Sequence, residues 1–141
     1  MKRIVSVILV LMLVASVATP AMAATQNDLV VSPRYTYIMT NAVTLTIDET
    51  TGVATCNAYC YATSNYTVVV ECELQQYINS DWSTLKTWTA SGTRIASLNK
   101  SWAVYSGYTY RAYATYYIYD GNGNLLETAT NSNSKVYPKT P

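Results

Sequence analysis

Residues 107–124 read GYTYRAYATYYIYDGNGN, and they alternate cleanly. Tyr110, Ala112, Ala114, Tyr116 and Ile118 fall on one side of an extended chain, and Arg111, Tyr113, Thr115, Tyr117 and Tyr119 fall on the other. Successive side chains of a strand point to opposite faces, so this pattern predicts a strand buried on one face only. Aromatic and β-branched residues fill it. It stops at Asp120-Gly121-Asn122-Gly123, residue types that supply the positive φ angles of a tight hairpin.

The same two-residue rhythm recurs outward from that strand. Residues 35–39 read as a short edge strand, and residues 42–48 place Val43, Leu45 and Ile47 on one side before Glu49-Thr50-Thr51-Gly52 turns the chain. Residues 53–62 put Ala54, Cys56, Ala58, Cys60 and Ala62 on one side, a small apolar set that faces a core only if an aromatic layer fills the space opposite. Residues 66–77 turn Val68, Val70, Cys72 and Leu74 inward and Glu71, Glu73 and Gln75 outward, because an unpaired buried carboxylate costs several kcal/mol, roughly. After Asn79-Ser80-Asp81 comes a strand over 82–89, in which Trp82 and Trp88 share a side with Leu85 opposite, so its facing is open. Ser91-Gly92-Thr93 ends it. Strands over 95–104 and 124–130 complete the set. The polar residues 132–141, with Pro138 and Pro141, read as a flexible tail.

About seven short strands separated by turn signals predict an all-β, antiparallel, immunoglobulin-like β-sandwich over residues 34–131. No amphipathic helix competes. Before it, Lys2 and Arg3, the apolar run 4–17, Pro20 and Ala21-Met22-Ala23 have the order of a secretory signal peptide, residues 1–23, cut after Ala23. The apolar run is shorter than the roughly 18 residues needed to cross a bilayer, which argues against a retained anchor. Residues 24–33 form a polar leader. The expected mature chain of 118 residues is long enough to bury about 65% of its unfolded surface.

Charge excludes several classes of function. Without Lys2 and Arg3 the chain holds 7 basic and 8 acidic residues, spread singly, which is no footprint for nucleic acid or for an anionic membrane. Histidine is absent, so no ordinary Ser-His or Cys-His nucleophile exists and zinc loses its commonest partner. Tyrosine, by contrast, occurs 14 times.

Two resemblances follow from particular residues. Gly107-Tyr108-Thr109-Tyr110-Arg111-Ala112 resembles the corner before the penultimate strand of immunoglobulin-like and fibronectin type III domains, where Tyr110 takes the place of the corner tyrosine and its hydroxyl bonds back to the preceding loop. The antibody-type tryptophan and the cysteine of the central strand are missing, so the likeness is architectural. Gly52-x-Ala54-x-Cys56, Leu74-Gln75, Trp82, Leu85-Lys86-Thr87-Trp88, Lys100-Ser101-Trp102 and Gly107-Tyr108-x-Tyr110-Arg111 resemble a DUF6147-like family of small exported proteins of Clostridia-type bacteria, a domain of unknown function. That resemblance implies secretion and a β fold. It carries no catalytic or ligand-binding residue with it.

Export to an oxidising space favours one internal disulfide among three cysteines. Cys56 and Cys60 are four residues apart on one strand, roughly 13 Å, beyond the ~7 Å limit for bridged Cα atoms. If the chain reverses about Ser64, Cys56 lies level with Cys72, and this is the expected pair. Cys60 is then the free cysteine, read as a small buried side chain, with intermolecular pairing or another bridge as alternatives.

Three constellations invite chemistry. Glu71 and Glu73 share a face about 6.6 Å apart by strand rise, a spacing to weigh against glycosidase carboxylates, although an exposed cross-strand ion pair with Arg111 or Lys86 is the plainer reading. Asp120-Gly121-Asn122-Gly123-Asn124 imitates half a calcium loop, but Leu125 and Asn131 stand where glycine and glutamate are needed. No metal and no cofactor are therefore expected. The third is the outward face of the central strand: Tyr113, Tyr117 and Tyr119 with Thr115 and Arg111 between them, extended by Glu71 and Glu73 if the third strand lies alongside. Tyrosine offers a large apolar body and a hydroxyl at low entropic cost, which suits recognition of protein or of sugar rings. The expectation is a secreted, non-enzymatic binding module for an extracellular protein or glycan. A structural or assembly subunit of the cell surface, joined by an edge strand or by Cys60, is the alternative, with a small glycoside hydrolase more remote.

Overall fold

The structure is a computed structural model that describes residues 33–139. The expected signal peptide, its cleavage after Ala23 and all of the polar leader except Pro33 lie outside the described residues.

Among the described residues seven strands follow in order: β1 (Ile38–Asp48), β2 (Val53–Ala62), β3 (Thr67–Ile78), β4 (Asp81–Thr93), β5 (Ile95–Ala103), β6 (Tyr108–Tyr119) and β7 (Leu125–Tyr137). All pairings are antiparallel. They build a three-stranded sheet in the order β1-β2-β5 and a four-stranded sheet in the order β4-β3-β6-β7. The architecture is the expected all-β, immunoglobulin-like sandwich, and β3 lies beside β6 as in fibronectin-like topology.

Alternation sets the core. Ala54, Cys56, Ala58, Cys60 and Ala62 of β2 are all buried, and so are Val68, Val70, Cys72 and Leu74 of β3 and Tyr110, Ala112, Ala114, Tyr116 and Ile118 of β6. Small residues on one sheet leave room for the tyrosines of the other, which are the largest fully buried side chains. Each large apolar chain so buried contributes roughly 1.5–3 kcal/mol. The Tyr116 hydroxyl is buried with no hydrogen-bond partner among the described residues, and burial pushes its pKa well above the tyrosine range.

The connections use different physics. Asn79 (φ 52°) and Ser80 (φ 64°) are the two central residues of the β3–β4 hairpin, the signature of a type I′ turn whose twist matches the flanking strands. Between β4 and β5 the chain changes sheet through a single residue, Arg94 (φ 66°), whose N–H donates to the Tyr66 carbonyl and whose carbonyl accepts from Ala62. At the entrance to β6, the Tyr110 hydroxyl donates to the Tyr105 carbonyl (2.7 Å) and accepts from the Tyr105 N–H (3.1 Å). That is the corner its sequence setting resembled.

Four expectations are corrected. Residues 35–39 and 42–48 do not form two strands: β1 runs through, with a bulge that leaves Met39 unpaired and exposed. β4 does not stop at residue 89, and Ser91-Gly92-Thr93 is no turn. Gly92 lies within the strand, and glycine is required there because a Cβ would collide with the Ile95 carbonyl oxygen. The polar residues 132–137 are not a tail, since β7 pairs with β6 as far as Tyr137, which is buried. Their inward polar side chains serve the free edge of β1: Asn133 Oδ1 accepts from the Leu45 N–H (3.0 Å), and the Tyr137 hydroxyl donates to the Glu49 carbonyl (3.1 Å). Finally, β2 and β3 do not pair as a hairpin about Ser64 but belong to different sheets. Cys56 and Cys72 therefore meet face to face across the core.

Candidate functional site

The outer face of the four-stranded sheet carries the residues singled out by the alternation of β6. Register places them in rows: Thr84, Gln75, Arg111 and Ser134; then Thr87, Glu73, Tyr113 and Ser132; then Thr89, Glu71, Thr115 and Thr130; then Ser91, Val69, Tyr117 and Thr128. Hydroxyls line both edge strands, and aromatic rings and charges fill the middle. All seven binding-face residues read from the sequence thus lie on one sheet face. Tyr117 and Tyr119 stack with centroids 6.4 Å apart and planes 29° apart. Desolvation and the nearby Glu71 carboxylate push the Tyr117 hydroxyl pKa up.

Trp82 joins this face, and its facing was not legible. β4 carries one extra residue between the pairs Leu74–Lys86 and Gln75–Thr84. Such a bulge reverses the facing of everything beyond it. Trp88 therefore packs against the core, while Trp82 turns outward and its ring lies 4.2 Å from the Arg111 guanidinium carbon. Tyr113 approaches the same guanidinium at 5.1 Å.

Arg111 is fixed by more than the two rings. Its Nε donates to Gln75 Oε1 at 2.6 Å. Gln75 Nε2 donates to Glu73 Oε2 at 2.7 Å and lies 3.3 Å from Thr84 Oγ1. The Thr84 hydroxyl donates to the same Glu73 oxygen at 2.5 Å. Gln75 is only 8% exposed although the sequence places it on the outward side, because the stacked side chains cover it. A cation held between two rings and pinned by an amide presents the four remaining guanidinium N–H groups at low entropic cost.

The other candidates end differently. Glu71 and Glu73 share the expected face, yet neither forms an ion pair with a described residue. Arg111 engages Gln75, and Lys86 falls on the inward phase, with its Nζ 4.8 Å from the centre of the Trp102 ring. Asp120 spends both carboxylate oxygens within its own turn, accepting from Asn122 N (2.8 Å), Asn124 N (2.9 Å) and Asn124 Nδ2 (2.9 Å). These bonds hold its pKa below the usual carboxylate range. Among the described residues no group of three His, Cys, Asp or Glu is placed to hold a metal ion. A hollow of about 270 Å³ between β1 and β7, lined by Thr46, Ile47, Glu49, Lys135 and Val136, gathers none of the candidate residues.

All three cysteines are buried thiols. Cys56 and Cys72 face one another across the core, and the neighbouring Cys72 thiol, then burial, pushes the Cys56 pKa far up. Cys60 is fully enclosed. Burial, then the Glu127 carboxylate, pushes its thiol up to about 11.

Comparison with protein-family models, with curated proteins and with solved structures returns no match.

Proposed function

We propose that this chain is a secreted, non-enzymatic binding module that presents the outer face of its four-stranded sheet to an extracellular protein or glycan. The observation that carries the reading is the Trp82–Arg111–Tyr113 stack pinned by Gln75. It is a prepaid arrangement of aromatic surface and hydrogen-bond donors, with Tyr117, Tyr119 and Thr115 continuing it along β6. The leader-like sequence and the resemblance to a small exported family support secretion. In an oxidising space the facing thiols of Cys56 and Cys72 pair, enclosing 15 residues and adding about 3 kcal/mol by the chain-entropy argument. Glycan arrays and pulldowns from surface extracts test the face. Tyr113, Tyr117 and Tyr119 changed together to serine abolish binding on this reading, and binding that survives the triple change removes it.

An assembly subunit of the cell surface is the second reading. β7 is an edge strand with no charged residue between Glu127 and Lys135, and uncharged edges invite pairing with a second copy. Cys60 offers no covalent link between copies because it is enclosed. Light scattering across a concentration series separates the two readings, since a constant monomer mass excludes assembly.

A further inference from the structure

We propose that Thr84 and Gln75 become joined by an ester bond that the chain forms by itself, releasing ammonia and tying β3 to β4. This inference concerns a modification site and does not rest on the binding role above.

Three groups meet on the side-chain amide of Gln75: the Glu73 carboxylate, the Thr84 hydroxyl and the Arg111 Nε–H. Glu73 Oε2 accepts both from the Thr84 hydroxyl at 2.5 Å and from Gln75 Nε2 at 2.7 Å. The Thr84 oxygen accepts from Gln75 Nε2 at 3.3 Å, and Arg111 Nε donates to Gln75 Oε1 at 2.6 Å. The orientation of the amide is dictated by its partners. Arginine Nε only donates and therefore faces the oxygen, while an ionised carboxylate only accepts and therefore faces the NH2 group.

These are the parts of an acyl transfer. Thr84 Oγ1 is the nucleophile, already bonded through its proton to a base. Gln75 Cδ is the electrophile, the atom bonded to the amide nitrogen that donates to Thr84 Oγ1, so both reactants belong to one side-chain cluster and the step is local to the chain. The Arg111 N–H strengthens its bond to Oε1 as negative charge gathers there. As the bond from Thr84 Oγ1 to Cδ forms, Glu73 Oε2 takes the hydroxyl proton. As the tetrahedral carbon collapses, the Cδ–Nε2 bond breaks and Glu73 returns that proton to the nitrogen, which leaves as ammonia. Glu73 and Arg111 end as they began, and nothing is oxidised, reduced or consumed from outside.

Two features favour the threonine over water. Gln75 is 8% exposed beneath the Arg111–Trp82 stack, so solvent is largely excluded from the amide. The bulge in β4 is what aims Thr84 there: in a regular strand it would share the inward phase of Lys86 and Trp88. Ammonia released beside the exposed Thr84 disperses into solvent, which makes the step one-way.

Peptide mass spectrometry of the purified full chain, held at neutral pH and digested with chymotrypsin, tests the bond. Cleavage after Tyr77 and Trp82 separates Gln75 from Thr84 unless they are joined. The expected product is the two peptides travelling as one species, one ammonia lighter than their sum. Thr84→Val and Glu73→Gln abolish it, and Thr84→Ser retains it. Hydroxylamine splits it, freeing Thr84 and leaving a hydroxamate at Gln75, a readout on the unaltered chain that needs no variant to fold. Separate peptides of unmodified mass overturn the proposal. So does conversion of Gln75 to glutamate, in which water has won, and so does an ammonia loss confined to another site such as Asn122-Gly123.

Discussion

Trp82 and Trp88 share one β-strand and one sequence parity, yet they point to opposite faces of the sheet. The extra residue in β4 between them accounts for it. Trp88 packs on the core, and Trp82 lies on the Arg111 guanidinium. Their substitutions therefore separate. Trp88→Ala removes a large core contact and lowers stability by about 3 kcal/mol, whereas Trp82→Ala forfeits a surface cation–π contact worth about 1 kcal/mol or less. Urea midpoints of the two variants check the difference, and equal losses would mean that the facing is wrong.

The Tyr110 hydroxyl satisfies both backbone groups of Tyr105. Tyr110→Phe keeps the ring in the core and removes only those two bonds. The expected loss is about 1–2 kcal/mol, with faster hydrogen exchange at the Tyr105 amide and no change at Ala112 or Ala114. A variant as stable as the parent would show that the corner contributes packing alone.

Alkaline pH should weaken the fold through Cys60. Its folded pKa of about 11 stands above the 9.0 of an unfolded thiol. A group raised in this way contributes its full stabilisation below the unfolded value and loses it as pH climbs through the folded one. The window is thus pH 9 to 11, and two pKa units correspond to about 3 kcal/mol at most. Denaturant midpoints should fall more steeply for the parent than for Cys60→Ala across that window, with Cys56 and Cys72 kept in one redox state. Parallel slopes would remove Cys60 as the cause.

Much of this fold was legible because burial on one face leaves a period of two. The small set of β2, the aliphatic set of β3 and the tyrosines of β6 each kept that period without interruption. What escaped the reading has a shared origin in partners distant along the chain. Asn131 and Asn133 look like solvent-facing tail residues until β1 is placed opposite them, where they reach Asn41 and the Leu45 N–H. Gly92 looks like a turn, but the reason for it is the Ile95 carbonyl across the sheet change. Cys56 and Cys72 had the right phase for one another and the wrong sheet. At the candidate site Tyr113, Tyr117 and Tyr119 were found by alternation, while Trp82, Thr84 and the covered amide of Gln75 depend on a bulge that no local residue type announces.

Glu127 does for the start of β1 what no strand pairing does. Its Oε1 accepts from the Thr36 N–H (2.8 Å), and its Oε2 accepts from the N–H groups of Tyr37 (2.9 Å) and Ile38 (2.7 Å). One carboxylate from β7 thus satisfies three successive N–H groups at the start of β1. Thr36 is exposed, so water replaces its lost partner, but Ile38 is buried and its donor would be left unsatisfied. Glu127→Ala should therefore cost about 1–3 kcal/mol and remove hydrogen-exchange protection at Tyr37 and Ile38. Leu45, held separately by Asn133 Oδ1, should keep its protection. Glu127→Gln preserves one acceptor oxygen and should fall between, losing Thr36 while keeping the two inner amides. If Ile38 stays as protected in Glu127→Ala as in the parent, the carboxylate is not what anchors the edge of β1.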